Sequence, residues 1–399
     1  MMRHETQVDV IEQLFAHPDA GTTAMSDEIT VNSVNAYTCI ERLQREQVLF
    51  LEEAIVMGLS CILPSPRTYI TDDNTGIPIL LVRDGTGKAR AFLNACKHRS
   101  SRLLDGAGSA RPRIVCLYHA WTYELCGKLV TVPQEVGFPD LDFDSCSLSE
   151  LPLLEEHGLI WVRPSRGEPI SSAEVFSGLQ NDFANYEFGC YHHYETRRID
   201  CDMNWKVIVD TFLEPYHFTP LHNDTVAPIF FPSLCLLDTF GRSLRETLPR
   251  RTIETLRNTP KNDWDLIPHS AVVYVLFPNT VVVMQIDHAE IWRVFPTDNQ
   301  TDKSHVFLEF YLPEPATTDK ARAHWDRNMD LTIRTVQTED FPTGAGAQKA
   351  FNSGQLKHVI YGRNEPALAF YQRQIAEAVG NLSSRSERDN PWACMMMLW

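Results

Sequence analysis

Two short stretches of the chain each place a cysteine and a histidine at the spacing of metal ligands. The first is Cys96-Lys97-His98, and the second, after seventeen intervening residues, is Cys116-Leu117-Tyr118-His119. Two thiolates and two imidazoles are suitable ligands for a structural zinc ion. They also suit a [2Fe–2S] cluster in which the cysteines hold one iron and the histidines hold the other. The Cys-x-His spacing is unusual for zinc, so the pattern favours the iron–sulfur cluster.

A second group of polar residues lies in the segment 204–222, whose apolar pattern predicts a largely buried helix from Met203 to about Phe218. At about 100° per residue, Asp210, Glu214 and His217 share one face of that helix. Pro220 is expected to break the helix and to swing His222 back toward His217. Because buried carboxylates are costly unless they are paired or bound to a metal, the segment predicts a metal site.

Two histidines and one carboxylate form the ligand set of mononuclear non-haem iron(II), which leaves coordination positions for dioxygen and substrate. The third ligand is not local. We predict Asp340, with its neighbour Glu339 as the alternative, at the end of a long helix from about Asp319 to Asp340. Phe341-Pro342-Thr343-Gly344 is expected to close that helix. Asp210 is predicted to orient a ligand histidine from behind.

Over roughly residues 30–380 the chain resembles the α (oxygenase) subunit of Rieske non-haem iron ring-hydroxylating oxygenases. The resemblance rests on the Cys-x-His and Cys-x2-His run, on Asn204-Trp205-Lys206, and on Glu214-x2-His217-x4-His222, in that order. It implies a Rieske cluster and a mononuclear Fe(II). The implied cluster ligands are Cys96, His98, Cys116 and His119, and the implied iron ligands are His217, His222 and Asp340.

The resemblance also gives Glu214 a role. The family usually has an aspartate there, which links an iron ligand histidine to a Rieske histidine of the neighbouring subunit. A glutamate resembles oxygenases that act on quaternary ammonium compounds such as carnitine. The resemblance further implies a homotrimer and electrons from NAD(P)H through a separate reductase, with or without a ferredoxin. It leaves open whether a β subunit is needed.

Three functions follow from these patterns. The main expectation is an oxygenase component that uses O2 to hydroxylate a small apolar aromatic or alicyclic substrate. The alternative is a monooxygenase or demethylase of a quaternary ammonium compound of the carnitine or betaine kind. The more remote alternative is a Rieske electron carrier without oxygenase activity. The expected pocket walls are aromatic or apolar: Phe212, Phe218, Phe230, Phe231, Tyr274, Phe277, Met284 and Trp292.

The fold class expected to position these residues is α+β. Short strands between 55 and 165, including a hairpin around Asp84-Gly85-Thr86-Gly87, predict a small all-β Rieske domain. Residues 1–54 are predicted to be a helical segment, with one helix from Ser33 to Met57, that packs on the catalytic domain. Residues 166–399 are predicted to form that catalytic domain, an antiparallel sheet flanked by helices, with 165–199 a connector.

The composition excludes several partners. A net charge of -16 disfavours binding to nucleic acid and to an anionic membrane surface. No apolar run is long enough for a transmembrane helix, and the amino-terminal residues do not resemble a secretory signal. Ten cysteines are too few for a disulfide scaffold of this length, so a reducing cytoplasm is the expected location.

Overall fold

The computed structural model describes residues 2–389 of the chain. Met1 and residues 390–399 lie outside that range, so the end of the predicted segment 166–399 is not described. The chain divides into two compact units. One comprises Phe50–Val175 with Glu187–Tyr191, and the other comprises the described residues of Met1–Leu49, Phe176–Tyr186 and His192–Trp399.

The helices and strands are numbered in chain order. The α-helices are α1 (His4–Ala20), α2 (Asn35–Thr38), α3 (Ile40–Glu52), α4 (Ser172–Phe176), α5 (Gln180–Tyr186), α6 (Trp205–Asp210), α7 (Phe218–Leu221), α8 (Asp319–Thr335), α9 (Phe341–Asn352) and α10 (Pro366–Asp389). The first strands are β1 (Thr30–Ser33), β2 (Ile55–Leu59), β3 (Thr68–Asp72), β4 (Ile79–Arg83), β5 (Ala89–Leu93), β6 (Ala107–Ser109), β7 (Arg113–Val115), β8 (Thr122–Glu124), β9 (Leu129–Thr131), β10 (Glu150–Leu151), β11 (Leu153–Glu156) and β12 (Leu159–Val162). The later strands are β13 (His192–Cys201), β14 (Leu236–Phe240), β15 (Ser243–Pro249), β16 (Ser270–Leu276), β17 (Thr280–Met284), β18 (Ala289–Pro296), β19 (Ser304–Leu312) and β20 (His358–Tyr361).

The smaller unit is built from short antiparallel strands. Its sheets have the orders β10-β5-β4-β3-β6, β11-β12-β2 and β7-β8-β9. The predicted hairpin joins β4 to β5: the Asp84 side chain accepts hydrogen bonds from the Thr86 and Lys88 backbone N–H groups at 2.8 and 3.1 Å. Gly87 in this turn has a φ of 89°, which glycine adopts without strain. The small all-β unit of the predicted fold class is therefore confirmed.

The larger unit contains an antiparallel seven-stranded sheet of order β13-β19-β18-β17-β16-β15-β14. Every residue of β16 and β17 is buried, so both faces of the sheet centre are covered. Helix α6 packs against β18, and α10 packs against β15. Strands β13, β14 and β15 were not predicted. The sequence of β13 is polar because β13 is an edge strand with mostly exposed side chains, so it lacks the apolar pattern that would predict a strand.

The amino-terminal helix prediction was partly wrong. The predicted helix Ser33–Met57 consists of α2 and α3, and its last residues belong to strand β2, where all five side chains are buried. The predicted connector 165–199 contains α4, α5 and the start of β13. The apolar residues after Glu52 fit a strand in a buried sheet as well as they fit a helix. Their periodicity therefore could not show where the helix ends and strand β2 begins.

The helix predicted from Met203 to Phe218 ends at Asp210. Glu214 precedes Pro215, and a residue before proline is disfavoured in helical conformation. The Glu214 side chain accepts a hydrogen bond from the His217 backbone N–H at 2.9 Å, which takes the place of a helical bond. Pro220 does not break a helix either, because it lies within the short helix α7.

The predicted end of the long helix at Phe341–Gly344 was also wrong. Helix α8 continues through a π-helical turn, Val336–Asp340, into α9. Pro342 is the second residue of α9 and directly follows the π-turn. A Cβ at position 344 would lie 2.5 Å from the Met203 sulfur, so a residue larger than Gly344 would have to displace that side chain. None of the helices in residues 2–389 combines the length and apolar character needed to cross a bilayer.

Candidate active site

The two cysteine loops of the smaller unit have the same backbone geometry. In the first, the Ser100 N–H donates to the Cys96 carbonyl at 2.9 Å and the Cys96 N–H donates to the Ser101 carbonyl at 2.8 Å. In the second, Ala120 and Trp121 make the corresponding bonds with Cys116, both at 2.9 Å. Ser100 and Ala120 both have a positive φ, of 55° and 57°. Each loop is thus a tight turn that holds its cysteine and histidine on one side.

The four side chains of these loops offer unused metal-binding atoms. Cys96 and Cys116 are buried free thiols. The Nδ1 atoms of His98 and His119 are buried without a hydrogen-bond partner among the described residues, and the two rings lie 4.6 Å apart. Burial and the neighbouring His119 lower the pKa of His98. Buried imidazole nitrogens without partners beside two buried thiols are what a metal cofactor would satisfy, and the quartet fits a [2Fe–2S] Rieske cluster.

Aromatic residues surround the histidines of this quartet. The His98 ring stacks on Trp121 at 4.9 Å, and Tyr118 lies 3.8 Å from the His119 ring. The Tyr123 hydroxyl lies 3.2 Å from the Cys96 sulfur. A hydroxyl that donates a hydrogen bond to a cluster thiolate stabilises the extra negative charge of the reduced cluster. It therefore raises the reduction potential of such a centre.

The spacing of the quartet argues against zinc. A zinc ion lies 2.0–2.3 Å from each ligand, so its ligand atoms lie within about 4 Å of one another. In the described part of the chain, one group of three or more histidine, cysteine or acidic side chains has ligand atoms within 4.8 Å of one another, and it is His217, His222 and Asp340. The ligand atoms of Cys96, His98, Cys116 and His119 do not form such a group, so they are spaced too widely for a single ion and suit a cluster of two irons.

The structure brings His217, His222 and Asp340 together in the larger unit. The Nε2 atoms of the two histidines are 3.1 Å apart, and the Asp340 Oδ1 atom is 3.5 Å from the first and 3.2 Å from the second. His222 and Asp340 are buried, and His217 is half-buried. Two imidazole nitrogens and one carboxylate oxygen pointing at a common position fit a mononuclear iron(II).

A carboxylate holds the other nitrogen of each histidine. The Nδ1 atom of His217 is hydrogen-bonded to Glu214, and the Nδ1 atom of His222 is hydrogen-bonded to Glu339. The Thr225 hydroxyl donates to the same Glu339 oxygen at 2.9 Å. These bonds direct each Nε2 lone pair toward the ligand position. Glu339 therefore contacts a ligand histidine, whereas its neighbour Asp340 faces the metal position.

The predicted role of Asp210 does not match its contacts. Its carboxylate accepts hydrogen bonds from the Tyr37 hydroxyl and the Gln372 amide, both at 2.7 Å, and no imidazole. Burial raises the pKa of Asp210 to about 6. Because α6 ends at this residue, the helical face expected to join it to His217 does not exist. Glu214 and Glu339 occupy the positions behind the histidines instead.

The motif Asn204-Trp205-Lys206 anchors α6. The Asn204 side chain caps the helix by accepting from the Lys206 N–H at 3.1 Å. The Lys206 ammonium and the Trp205 indole N–H both donate to Glu46 on α3, at 2.6 and 2.9 Å. Lys206 and Glu46 are fully buried, so removal of one partner would leave an uncompensated charge. The motif fixes the helix that leads into the histidines and touches no ligand.

A cavity of about 450 Å³ opens beside the three ligand side chains. Of the eight predicted wall residues, Phe212, Phe218, Phe230 and Trp292 line it, and Phe231, Tyr274, Phe277 and Met284 do not. One wall is the sheet, and the other is α8 with its π-turn. The helix contributes His324, Asn328, Leu331, Thr332, Thr335 and Val336 to the lining, at the three- and four-residue spacing of one helical face.

A polar cluster in the cavity wall was not predicted from the sequence. It consists of Arg250, Gln285, Asp287, His288 and Glu290. Glu290 could have indicated the cluster, because it is a charged residue, as Arg293 is, in the otherwise apolar and buried strand β18. A charge in a buried strand requires partners, and such partners belong to a site more often than to a plain core.

Comparisons with known proteins agree with this arrangement. Residues 188–381 match the family model described as the ring hydroxylating alpha subunit (catalytic domain). Residues 55–142 match the model of the Rieske [2Fe-2S] domain. The first match contains His217, His222 and Asp340, and the second contains Cys96, His98, Cys116 and His119.

Among curated relatives, the glycine betaine monooxygenase oxygenase subunit of Chromohalobacter salexigens is 30% identical over 174 residues, which are 44% of this chain and 39% of that protein. The chain thus matches less than half the length of that relative. The carnitine monooxygenase oxygenase subunit of Acinetobacter baumannii is 25% identical over 354 residues, 86% of this chain and 92% of that protein.

Solved structures share the fold. A quaternary ammonium Rieske monooxygenase in complex with L-carnitine superposes with a TM-score of 0.72 at 20% identity, over 87% of this chain and 94% of that one. Naphthalene 1,2-dioxygenase with indole bound superposes with a TM-score of 0.67 at 17% identity, over 88% and 92%. At these identities the likeness establishes the fold and not the substrate.

Proposed function

The chain belongs to the family of Rieske non-haem iron oxygenase α subunits, and we propose that it is the oxygenase component of a monooxygenase of quaternary ammonium compounds. The observation that carries the substrate class is the match to a carnitine monooxygenase subunit along most of both chains. Glu214 in place of the usual aspartate supports the same class. The alternative function considered from the sequence is thus favoured over hydroxylation of an apolar arene.

Enzymes of this family contain a Rieske [2Fe–2S] cluster and a mononuclear iron, and they draw electrons from a reductase. When bound, the cluster supplies electrons and the iron supplies the activation of dioxygen. In the proposal, Cys96, Cys116, His98 and His119 hold the cluster. His217, His222 and Asp340 hold the iron and leave room for substrate beside it.

Glu214 is proposed to connect the two centres. Its carboxylate is bonded to the ligand His217 through both the ring and the backbone N–H. A carboxylate oxygen has more than one lone pair, so the same group can accept a further hydrogen bond from an imidazole of another subunit. The proposed assembly is a homotrimer in which each subunit's cluster serves the neighbour's iron. Such a head-to-tail interface closes into a ring.

The cavity walls suit a quaternary ammonium group. Such a cation has no N–H to donate, so it binds through its charge and its methyl surface. The faces of Phe212, Phe218 and Trp292 offer a cation–π environment next to the ligand histidines. The same rings exclude water from the position where a substrate methyl or methylene group would react.

The proposal is tested by metal analysis and turnover together. The purified enzyme should hold about three irons per chain, two from the cluster and one from the mononuclear site. With NAD(P)H and a surrogate reductase, carnitine, glycine betaine or choline should give an oxygenated product in step with oxygen uptake, and naphthalene should not. If naphthalene is hydroxylated and none of the three ammonium compounds is, the protein is instead an oxygenase of apolar aromatic substrates. Two irons per chain and no product would indicate an electron carrier.

A further inference from the structure

Arg250 is a cation in the cavity wall that forms no direct ion pair, although the charges of Asp287 and Glu290 act on it. It follows strand β15 directly and is half-buried. Its guanidinium donates to the Ser270 carbonyl at 3.2 Å and to the Gln285 side-chain carbonyl at 2.7 Å. In the described residues no carboxylate oxygen lies within 4 Å of it. Five N–H donors are available on a guanidinium, so donors remain for a ligand in the cavity.

The two acidic side chains of the cavity wall, Glu290 and Asp287, are hydrogen-bonded to groups other than Arg250. The Glu290 carboxylate accepts from the Trp292 indole N–H at 3.0 Å and from the Gln285 amide at 3.4 Å, and it lies 3.3 Å from the His288 ring. Asp287 is bonded to the other nitrogen of His288 at 2.9 Å. The Asp287 and Glu290 carboxylates are thus hydrogen-bonded to other groups, and the Arg250 guanidinium keeps N–H donors that can bind an anionic ligand group.

The position of Arg250 suits the far end of a substrate. Its guanidinium carbon lies 4.8 Å from the centre of the Phe230 ring, and that ring lies 5.7 Å from Phe218. Phe218 in turn contacts the ring of His217 at 5.1 Å. Two aromatic rings thus separate the cation from the ligand histidines, with both rings in the cavity wall.

We propose that Arg250 binds a carboxylate of the substrate, so that the substrate is a zwitterion with a quaternary ammonium at one end and a carboxylate at the other. This inference rests on the proposed function and narrows it: carnitine and glycine betaine meet the requirement, whereas choline does not. A planar guanidinium pairs with a carboxylate through two parallel N–H bonds, which fixes orientation as well as affinity. The ammonium is then presented to the aromatic rings and the iron ligands.

Three compounds of matched shape test the two ends separately. γ-Butyrobetaine has both charges, butyltrimethylammonium has the ammonium alone, and 5,5-dimethylhexanoate has the carboxylate alone. Their binding to the loaded enzyme is measured by calorimetry, which does not depend on turnover. Wild type should bind γ-butyrobetaine at least tenfold more tightly than either compound with one charge.

The variant Arg250→Gln should weaken γ-butyrobetaine and 5,5-dimethylhexanoate by about 10- to 100-fold, the range for loss of a charged hydrogen-bonded partner. It should leave butyltrimethylammonium unchanged. Arg250→Lys should restore part of the loss. The matched control is Arg251→Gln, which removes the adjacent exposed cation that lies over Phe231 outside the cavity lining. That control should bind all three compounds as wild type does.

The outcomes separate the two proposals. If Arg250→Gln weakens all three compounds equally, or none of them, the carboxylate role is overturned and Arg250 is a structural residue. If wild type binds 5,5-dimethylhexanoate as tightly as γ-butyrobetaine and only Arg250→Gln abolishes both, the carboxylate role stands. In that case the ammonium contributes nothing, and the proposed substrate class fails.

Discussion

Glu246 on β15 is a fully buried carboxyl that the proposed chemistry does not use. Neither of its oxygens has a partner at normal hydrogen-bond distance in the described part of the chain, and the Cys235 thiol is the neighbouring donor that acts on them. Burial raises its pKa from 4.5 to about 8, with Cys235 and Glu214 as the titratable groups that act on it. A carboxyl with this pKa is protonated in the folded protein at neutral pH.

A pH dependence of stability follows from this residue. Between pH 4.5 and about pH 8 the folded state keeps the Glu246 proton and the unfolded state loses it. The free energy of unfolding therefore falls as the pH rises through this window, by up to about 1.4 kcal/mol per pH unit from this group. Glu246→Gln removes that slope, so the variant should be more stable than wild type at pH 8 and similar to it near pH 4.5.

Thermal unfolding of the loaded protein at pH 5, 6.5 and 8 measures this effect. Glu195→Gln, a substitution on the edge strand β13, serves as the control and should keep the wild-type slope. If Glu246→Gln shows the same slope as wild type, the carboxyl is ionised in the folded protein and another group supplies the dependence.

At the scale of elements, the π-turn Val336–Asp340 sets the roles of two adjacent carboxylates. Consecutive residues of an α-helix point about 100° apart, so they seldom serve one neighbouring side chain. The π-turn widens the helix by one residue, and Glu339 and Asp340 both approach His222, one at each ring nitrogen. Such turns recur at functional sites.

Substitutions in the π-turn should separate these roles. Asp340→Ala should lose the mononuclear iron while the visible and EPR signals of the Rieske cluster persist. Glu339→Gln should retain the iron with an affinity about 10- to 100-fold lower, as expected for loss of a carboxylate behind a ligand histidine. Asp330→Asn, an exposed change on α8, is the control. If Asp340→Ala retains the iron and Glu339→Gln loses it, Glu339 is the iron ligand and Asp340 is not.

The strands could be predicted better than the helices. Short apolar runs bounded by turn residues predicted the hairpin of β4 and β5 and an antiparallel sheet in the larger unit, because such patterns are local. The identity of the histidine and cysteine motifs predicted both metal centres for the same reason. The turn at Glu214 could not be predicted from periodicity, since its geometry depends on a side chain that accepts a backbone N–H.

Long-range contacts account for the other misses. The Glu339 bond to His222 and the cluster around Arg250 each join residues far apart in the chain. The sequence narrowed the candidates for the third ligand to Glu339 and Asp340. Only the fold shows that Glu339 contacts the Nδ1 atom of His222 and that Asp340 lies near its Nε2 atom. The prediction for Asp210 failed for a local reason. It assumed that the helix continues to His217, whereas α6 ends at Asp210.

At the scale of the whole molecule, the proposed trimer makes a prediction about mixed assemblies. Cys116→Ser should remove the cluster and His217→Ala should remove the mononuclear iron, so each variant alone should be inactive. Co-assembled in equal amounts, they should recover activity, because a cluster of one chain can serve the iron of another. Random assembly makes about a quarter of the interfaces productive, which sets the expected fraction of wild-type activity.

The position of Glu214 in these assemblies provides the control. Glu214→Gln added to the chain that keeps the iron should abolish the recovered activity. The same change added to the chain that keeps the cluster should leave it intact. Recovery that is insensitive to Glu214 on either chain would remove this residue from the electron path, and no recovery would argue for transfer within one chain.

Helix α8 joins two parts of the cavity that are otherwise distant. It lines the cavity from His324, whose side chain is 49% exposed, through the π-turn to the buried Asp340. Roughly 24 Å of helix separates these residues at 1.5 Å per residue. One continuous helix therefore carries both an exposed side chain of the cavity wall and the buried carboxylate beside His217 and His222.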